Sequence, residues 1–221
     1  STYAHEWGHA MHQVLTYENQ PYELADFSIF TTEIAAIANE LLLQEYMLAG
    51  ARTEDERLYF LGYALEQMRG TFYRQVMFSE FELAIHEAVE RGEALTGSRM
   101  TQIYGEILKR YHGHDAGVME ITDREMIEWA YIPHFYYNFY VYQYATSIAG
   151  AAYFVDRLNS GSEAARETYI KFLEAGGSDY PLEILRAAGL DMTSRAPYDA
   201  VIDRMDAVMD QIEAILEDRE G

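Results

Sequence analysis

Apolar residues recur every three or four positions along almost the whole of this chain, and only four prolines interrupt its 221 residues. That spacing collects apolar side chains on one face of an α-helix, whereas the alternation typical of β-strands is scarce. The chain is therefore predicted to be all-α. The predicted helices cover about residues 2–16, 32–49, 54–91, 97–112, 122–130, 134–158, 162–175, 179–188 and 197–218. Because no repeat or linker separates them, we predict a single helical domain over residues 1–221.

Several predicted helix ends carry recognisable signals. Gly50 is expected to end one helix, and Ser98 and Thr122 have side chains that cap helix N-termini. Gly176–Gly177 breaks the chain before another helix, and Gly70 is expected to bend the longest one.

Composition narrows the possible functions. The chain has no cysteine, which excludes disulfides, thiolate metal sites and cysteine nucleophiles and fits a reducing compartment. Its formal net charge of −21 would repel nucleic-acid phosphates. No apolar run approaches bilayer length and no leader pattern is visible, so we expect no membrane partner. The first residue is not methionine, which suggests a processed or partial chain.

The segment HEWGH, near the start of the chain, has the spacing of a metal site. On a helix, His5 and His9 are one turn apart, so both imidazoles can hold one metal ion. Glu6 is displaced around the helix and can reach a water molecule beside the metal. Gly8 leaves room for another backbone. The alternative is that the two histidines lie on a helix and only form hydrogen bonds. The five residues HEWGH, taken alone, support both interpretations about equally.

A catalytic zinc ion needs a third protein ligand and one open position. In the helical segment FTTEIAAIANELLLQEYML, Glu33 and Glu40 lie two turns apart on one face. Glu33 is the candidate ligand. Glu40 is either a hydrogen-bond partner that fixes the tautomer of a ligand histidine, or a surface carboxylate.

A tyrosine-rich segment, WAYIPHFYYNFYVYQYATSIAG, is the third candidate. Pro133 suits the first turn of a helix. At about 100° per residue, His134, Tyr137, Val141 and Tyr144 share one face of the predicted helix. An imidazole and two phenols are donors that can stabilise an oxyanion. Taken alone, however, a tyrosine-rich helix is more often part of a core.

Two weaker candidates are set aside. His112, His114 and Asp115 are predicted to lie in a solvent-exposed turn. Glu82 and His86 lie one turn apart on the longest helix, but no second Glu-x-x-His motif supports a di-iron site, so an ordinary helix face is expected.

Four segments together resemble the oligoendopeptidase F branch of the thimet oligopeptidase family: HEWGHAMH, FTTEIAAIANELLL, IPHFYYNFYVYQYATS and FLEAGGSDYPLEILRAAGLDMTS. The resemblance covers essentially the whole chain. It implies a multi-helix zinc metallopeptidase domain, with one Zn²⁺ per chain, that hydrolyses internal bonds of short peptides in the cytoplasm. Two histidines and a carboxylate would also accept cobalt or manganese.

The resemblance also implies roles for individual residues. The zinc ligands of the family fall on His5, His9 and Glu33, its catalytic glutamate on Glu6, and its substrate-binding, oxyanion-stabilising histidine on His134.

The tyrosines of the family are harder to place. Tyr137 and Tyr144 are chosen from the helix-face argument, with Tyr140 in reserve. Ala36 stands where relatives usually have serine, which weakens any supporting role of that position.

Members of this family are much longer, with a helical region before HExxH that forms the other wall of a substrate channel. The chain therefore resembles their C-terminal catalytic part, and the missing N-terminal region is a possible partner. Two alternatives remain: a catalytically idle zinc-binding helical fragment, or one half of a two-chain enzyme.

Overall fold

The computed structural model describes residues 2–220. These residues form α-helices, short 3₁₀ turns and one π-helical turn, with no β-strand among them, which confirms the all-α prediction. None of the helices in this described part is long and apolar enough to cross a membrane. The α-helices are α1 (Thr2–Asn19), α2 (Ile29–Ala49), α3 (Glu54–Met68), α4 (Arg74–Glu90), α5 (Gly97–Tyr111), α6 (Asp123–Met126), α7 (Tyr142–Asn159), α8 (Glu163–Glu174), α9 (Pro181–Ala187) and α10 (Ala196–Glu220).

The chain divides into two compact units. The first unit comprises Ser1–Phe72 and Thr146–Gly221, and the second unit comprises Tyr73–Ala145. The single helical catalytic domain predicted over residues 1–221 stays a prediction.

Helix α2 is the central element of the first unit. It begins after Ser28, whose hydroxyl accepts the N–H of Thr31, and it ends at Gly50 as predicted. Every residue from 34 to 38 is buried. A helix buried on several sides must pack against several neighbours, and α2 contacts α1, α3 and α9. Helix α8 packs against α1, and α10 against α3.

Gly8 allows α1 and α2 to approach closely, as the sequence predicts. A Cβ atom on Gly8 would lie 2.6 Å from the Cα of Ala36 and 2.8 Å from the carbonyl oxygen of Ala35. Both obstacles are backbone atoms, which cannot turn aside as a side chain can. Ala36, whose small side chain is fully buried, completes this close contact.

Gly8→Ala is therefore expected to lower the free energy of unfolding by about 1–3 kcal/mol, because the two helices must separate. Gly62→Ala is the matched control, since Gly62 lies inside α3 and nothing is within 4 Å of an added Cβ. There alanine should raise stability by about 0.5–1 kcal/mol. Urea unfolding of both variants measures the two changes. A Gly8→Ala chain as stable as wild type would contradict the close contact.

The second unit is built on α4 and α5, with α6 packed against α5. Its Tyr104 hydroxyl donates to Glu128 at 2.5 Å, and Glu128 also pairs with Arg74. The core of this unit consists of Met77, Phe78, Phe81, Ile103, Tyr104, Ile107, Leu108, Ile121 and Val141.

Two predicted helix features require correction. The bend expected at Gly70 is a π-helical turn, Arg69–Tyr73, between α3 and α4. Thr96, and not Ser98, caps α5, because its side chain accepts the N–H of Arg99. Thr122 caps α6 as predicted.

The single helix predicted over 134–158 is wrong. Residues Pro133–Tyr137 form a 3₁₀ turn, and α7 begins only at Tyr142. Between them, Asn138 and Phe139 adopt left-handed backbone conformations, with φ of 51° and 58°. A right-handed helix cannot continue through two such residues.

Candidate metal centre and tyrosine cluster

His5, His9 and Glu33 converge in the first unit, His5 and His9 from α1 and Glu33 from α2. The two histidine Nε2 atoms are 3.1 Å apart. The Glu33 carboxylate lies 3.6 Å from Nε2 of His5 and 3.7 Å from Nε2 of His9. In the part of the chain that the structure describes, this is the one cluster of three side chains with metal-ligand spacing. All three are partly buried.

The chemistry of these donors fits a zinc ion. Tetrahedral zinc at about 2.0–2.1 Å from nitrogen and oxygen ligands holds those ligands about 3.3–3.4 Å apart, close to the separations seen here. Glu40 accepts a hydrogen bond from Nδ1 of His5, so Nε2 of that ring carries the lone pair. Nδ1 of His9 lies 2.9 Å from the Thr32 hydroxyl, and in the tautomer in which this nitrogen donates, Nε2 of His9 also presents a lone pair. In that tautomer two nitrogen lone pairs and the Glu33 carboxylate face one another, an arrangement that a bound cation stabilises.

Glu40 is the buried hydrogen-bond partner of the candidate ligand His5, rather than a surface carboxylate. It is 8% exposed, and its Oε1 lies 2.7 Å from Nδ1 of His5. Its Oε2 accepts a hydrogen bond of 2.6 Å from the Gln67 amide. The hydrogen bond to Glu40 raises the pKa of His5, against the effect of burial. Glu40 thus orients the ring and makes it a stronger base.

Glu40→Gln is expected to weaken zinc binding by about 10–100-fold, the usual effect of losing a carboxylate partner of a ligand histidine. Competition against a fluorescent zinc chelator measures the change in dissociation constant. Glu23→Gln, in the exposed 3₁₀ turn after α1, is the control and should bind like wild type. Equal affinities for all three proteins would show that Glu40 does not support a ligand.

Two supporting residues, Thr32 and Gln67, were not found from the sequence. Thr32 directly precedes Glu33, and a hydroxyl next to a candidate ligand is a sequence signal for a partner of a histidine such as His9. Gln67 gave no comparable signal, because it lies 27 residues from Glu40 and comes from another helix.

Glu6 follows His5 on α1, and its side chain is exposed. It is turned about 100° around the helix from His5. It therefore lies beside the three candidate ligands without being one of them, as the HExxH spacing predicts.

A third histidine of α1 is fully buried. His12 is 1% exposed, its ring is stacked on Phe27 with centroids 4.2 Å apart, and the ring of Phe172 lies 5.7 Å away. Its Nδ1 has no hydrogen-bond partner. Burial, with a smaller contribution from His9, lowers the pKa of His12 to about 4.

This shift predicts acid sensitivity of the fold. Between pH 6.5 and about 4 the unfolded chain protonates His12 but the folded chain does not, so stability falls as the pH falls. The loss from this one group is about 3 kcal/mol. Urea unfolding of the zinc-free chain at several pH values measures it, with His12→Phe as the comparison. Parallel pH profiles of wild type and variant would contradict a neutral, buried His12.

In the second unit, His134 is surrounded by tyrosine rings. Its ring centroid is 6.1 Å from that of Tyr137, 5.9 Å from Tyr140 and 6.0 Å from Tyr144. The predicted histidine and tyrosines therefore lie together, although the single helix that was predicted to carry them is absent. The buried Val141 belongs to the core instead of the shared face. Tyr140, held in reserve, stacks on His134 with an angle of 23° between the ring planes. We call His134, Tyr137, Tyr140 and Tyr144 the tyrosine cluster.

The two weaker candidates have different outcomes. His112 ends α5, and His114 and Asp115 lie in the 3₁₀ turn that follows it. Asp115 is exposed as predicted, whereas the two histidines are partly buried, and Nδ1 of His114 accepts the N–H of Ile121. The ordinary helix face predicted for Glu82 and His86 is wrong, because Glu82 is buried in the core of the second unit.

Several known proteins are similar to this chain in sequence and in fold. The sequence model of the family described as Peptidase family M3 matches residues 1–204. Oligopeptidase PepF of Bacillus subtilis is 44% identical over 200 residues, 90% of this chain and 29% of that protein. An oligoendopeptidase F homolog of Lactococcus lactis subsp. lactis is 44% identical over 202 residues, 91% of this chain and 33% of that protein.

A solved structure has a similar fold. The crystal structure of oligoendopeptidase-F from Enterococcus faecium matches with a TM-score of 0.85 at 34% identity, over 98% of this chain and 39% of that one. The chain thus spans about a third of the length of the curated relatives it matches.

Proposed function

Since the chain belongs to peptidase family M3, we propose that it is the catalytic part of a zinc-dependent endopeptidase that hydrolyses internal bonds of short peptides. The observation that carries this proposal is the convergence of His5, His9 and Glu33, with Glu6 beside them on the same helix. The names of the relatives, oligopeptidase and oligoendopeptidase, support peptides as the substrate class.

In this proposal His5, His9 and Glu33 hold one zinc ion through two imidazole nitrogens and a carboxylate. When bound, zinc acts as a Lewis acid that polarises the scissile carbonyl and lowers the pKa of a water molecule. The chain's own contribution begins with orientation. Glu40 and Thr32 fix the two histidine rings, so that their Nε2 atoms remain available.

Glu6 is the proposed general base. Its exposed carboxylate takes a proton from the attacking water and later gives that proton to the leaving amine. His134 and a tyrosine hydroxyl, of Tyr137, Tyr140 or Tyr144, are proposed to donate hydrogen bonds to the developing oxyanion. The ring contacts of the tyrosine cluster support a shared role for these four residues.

The proposed setting is peptide degradation in the cytoplasm, with the remaining two thirds of a longer enzyme as a further partner. An apolar face of α1 is exposed in this chain and could receive such a region. It consists of Tyr3, Trp7, Met11 and Val14, spaced so that they share one side of the helix.

The test is hydrolysis of a mixture of short peptides and one unfolded protein by the zinc-loaded chain, read by mass spectrometry. A chelator-treated sample is the control. Internal cleavage that disappears with chelator and returns with zinc supports the proposal. Cleavage that requires the N-terminal region of a longer relative, added in trans, also supports it and identifies the partner. Absence of cleavage in both cases would contradict it.

A further inference from the structure

The second unit buries one carboxyl group that the proposed mechanism does not use. Glu82 lies on α4 with 1% of its surface exposed, and its neighbour Phe81 belongs to the apolar core. Burial raises the pKa of this carboxyl above its ordinary value. Placing such a group in a core is unfavourable unless hydrogen bonds replace its lost hydration. The bonds that Glu82 makes therefore indicate what it does.

The side chain of Glu82 is bonded to the backbone of a distant turn. Its Oε1 accepts the N–H of Phe139 at 2.5 Å, across 57 residues of sequence. Its Oε2 is buried and has no hydrogen-bond partner. The imidazole of His86, one helical turn further along α4, lies against the Phe139 ring, with centroids 4.4 Å apart. Two side chains of α4 thus hold one residue of the turn.

That turn has an unfavourable backbone conformation. Asn138 and Phe139 both have positive φ, although neither is glycine. Asparagine tolerates the left-handed region, but a bulky aromatic residue rarely adopts it. The conformation must therefore be maintained by contacts from outside the turn, and the hydrogen bond to Glu82 is one such contact.

The segments on either side of the turn are anchored by apolar contacts. Before it, the ring of Phe135 lies 5.2 Å from the rings of both Phe78 and Phe81. After it, Val141 is buried in the same core. The turn at 138–139 joins these two anchors, so its conformation sets how the residues before and after it face each other.

The residues that face each other are those of the tyrosine cluster. His134 precedes the turn, whereas Tyr140 and Tyr144 follow it, and their rings lie about 6 Å from that of His134. Without the left-handed turn, the segment that carries His134 would meet the segment that carries Tyr140 and Tyr144 at a different angle. The geometry of the cluster therefore depends on a residue outside it.

We infer that Glu82 is a positioning residue for the tyrosine cluster: by accepting the N–H of Phe139, it fixes the turn that places Tyr140 and Tyr144 against His134. The catalytic consequence rests on the proposed function. The effect of Glu82 on the arrangement of the tyrosine cluster does not rest on the proposed function, and it can be tested in a chain without activity.

The decisive comparison is Glu82→Met against Glu82→Gln in the zinc-loaded chain. Both side chains fill the volume of glutamate, but only glutamine keeps an acceptor for the Phe139 N–H. Glu90→Ala is the control, because Glu90 is exposed on the same helix. Nuclear Overhauser contacts between His134 and Tyr140 report the arrangement of the cluster, and amide exchange reports the Phe139 N–H.

We expect the Phe139 amide to be protected in wild type, and the His134–Tyr140 contacts to be lost in Glu82→Met but kept in Glu82→Gln. In peptide hydrolysis, kcat of Glu82→Met should fall by about 10–100-fold with KM changed by less than about threefold, and glutamine should restore most of it. A fast-exchanging Phe139 amide in wild type, ring contacts unchanged in Glu82→Met, or equal kcat losses in both variants would overturn the inference. If wild type cleaves no peptide, either alone or with the N-terminal region of a longer relative added in trans, the proposed function fails, and ring contacts and exchange alone decide the role of Glu82.

Discussion

Glu6→Gln is expected to reduce peptide hydrolysis by about 10²–10⁴-fold while the chain still binds one zinc ion. The carboxamide has nearly the shape of the carboxylate but cannot take a proton from water. Because Glu6 is exposed and lies outside the ligand cluster, the change should leave His5, His9 and Glu33 in place. Initial rates at saturating peptide, with zinc content measured on the same samples, give the result.

Glu18→Gln provides the control for this experiment. Glu18 is exposed on the same helix, more than two turns beyond the ligands, and removing its charge alters the net charge of the chain equally. We expect wild-type rates from it. Undiminished hydrolysis by Glu6→Gln would mean that another group takes the proton, and the role proposed for Glu6 would be abandoned.

Glu33→Ala is expected to have the second large effect, on the metal itself. Two histidines one turn apart are an incomplete set for a catalytic zinc, which takes three protein ligands. We expect the zinc dissociation constant to rise by more than about 100-fold. That is a larger loss of affinity than follows the removal of a residue that only hydrogen-bonds to a ligand. Hydrolysis at limiting zinc should fall in parallel. Chelator competition and a zinc titration of activity measure the two quantities.

The graded control for this prediction is Glu40→Gln. Glu40 bonds Nδ1 of His5, whereas Glu33 faces Nε2 of the same ring, so the Glu40 variant should lose less affinity than Glu33→Ala. The reverse order, or a Glu33→Ala chain that binds zinc like wild type, would exclude Glu33 as the third ligand.

The histidine pair of the candidate metal cluster can be predicted from the sequence because its geometry is local. Residues four apart on a helix must share a face, so His5 and His9 followed from helical periodicity alone. The all-α class and the resemblance to oligoendopeptidase F are both confirmed. Glu40 needed the structure, since periodicity could not distinguish a buried partner of His5 from a surface carboxylate.

The tyrosine segment shows where periodicity fails. Spacings of three and four residues made 134–158 look like one helix, but Asn138 and Phe139 reverse the sign of φ within it. The hydrogen bond that the Phe139 N–H donates to Glu82, 57 positions away in sequence, supports that reversal. No local pattern encodes such a contact. The rings nevertheless come together, because a 3₁₀ turn followed by a left-handed turn returns the chain towards His134.

Anomalous diffraction at the zinc absorption edge, from crystals of the zinc-loaded chain, tests the central claim most directly. We expect a single strong anomalous peak within bonding distance of His5 Nε2, His9 Nε2 and the Glu33 carboxylate, about 2.0–2.2 Å from each. A peak elsewhere, or none at these three side chains, would contradict the assignment of this cluster as the zinc site.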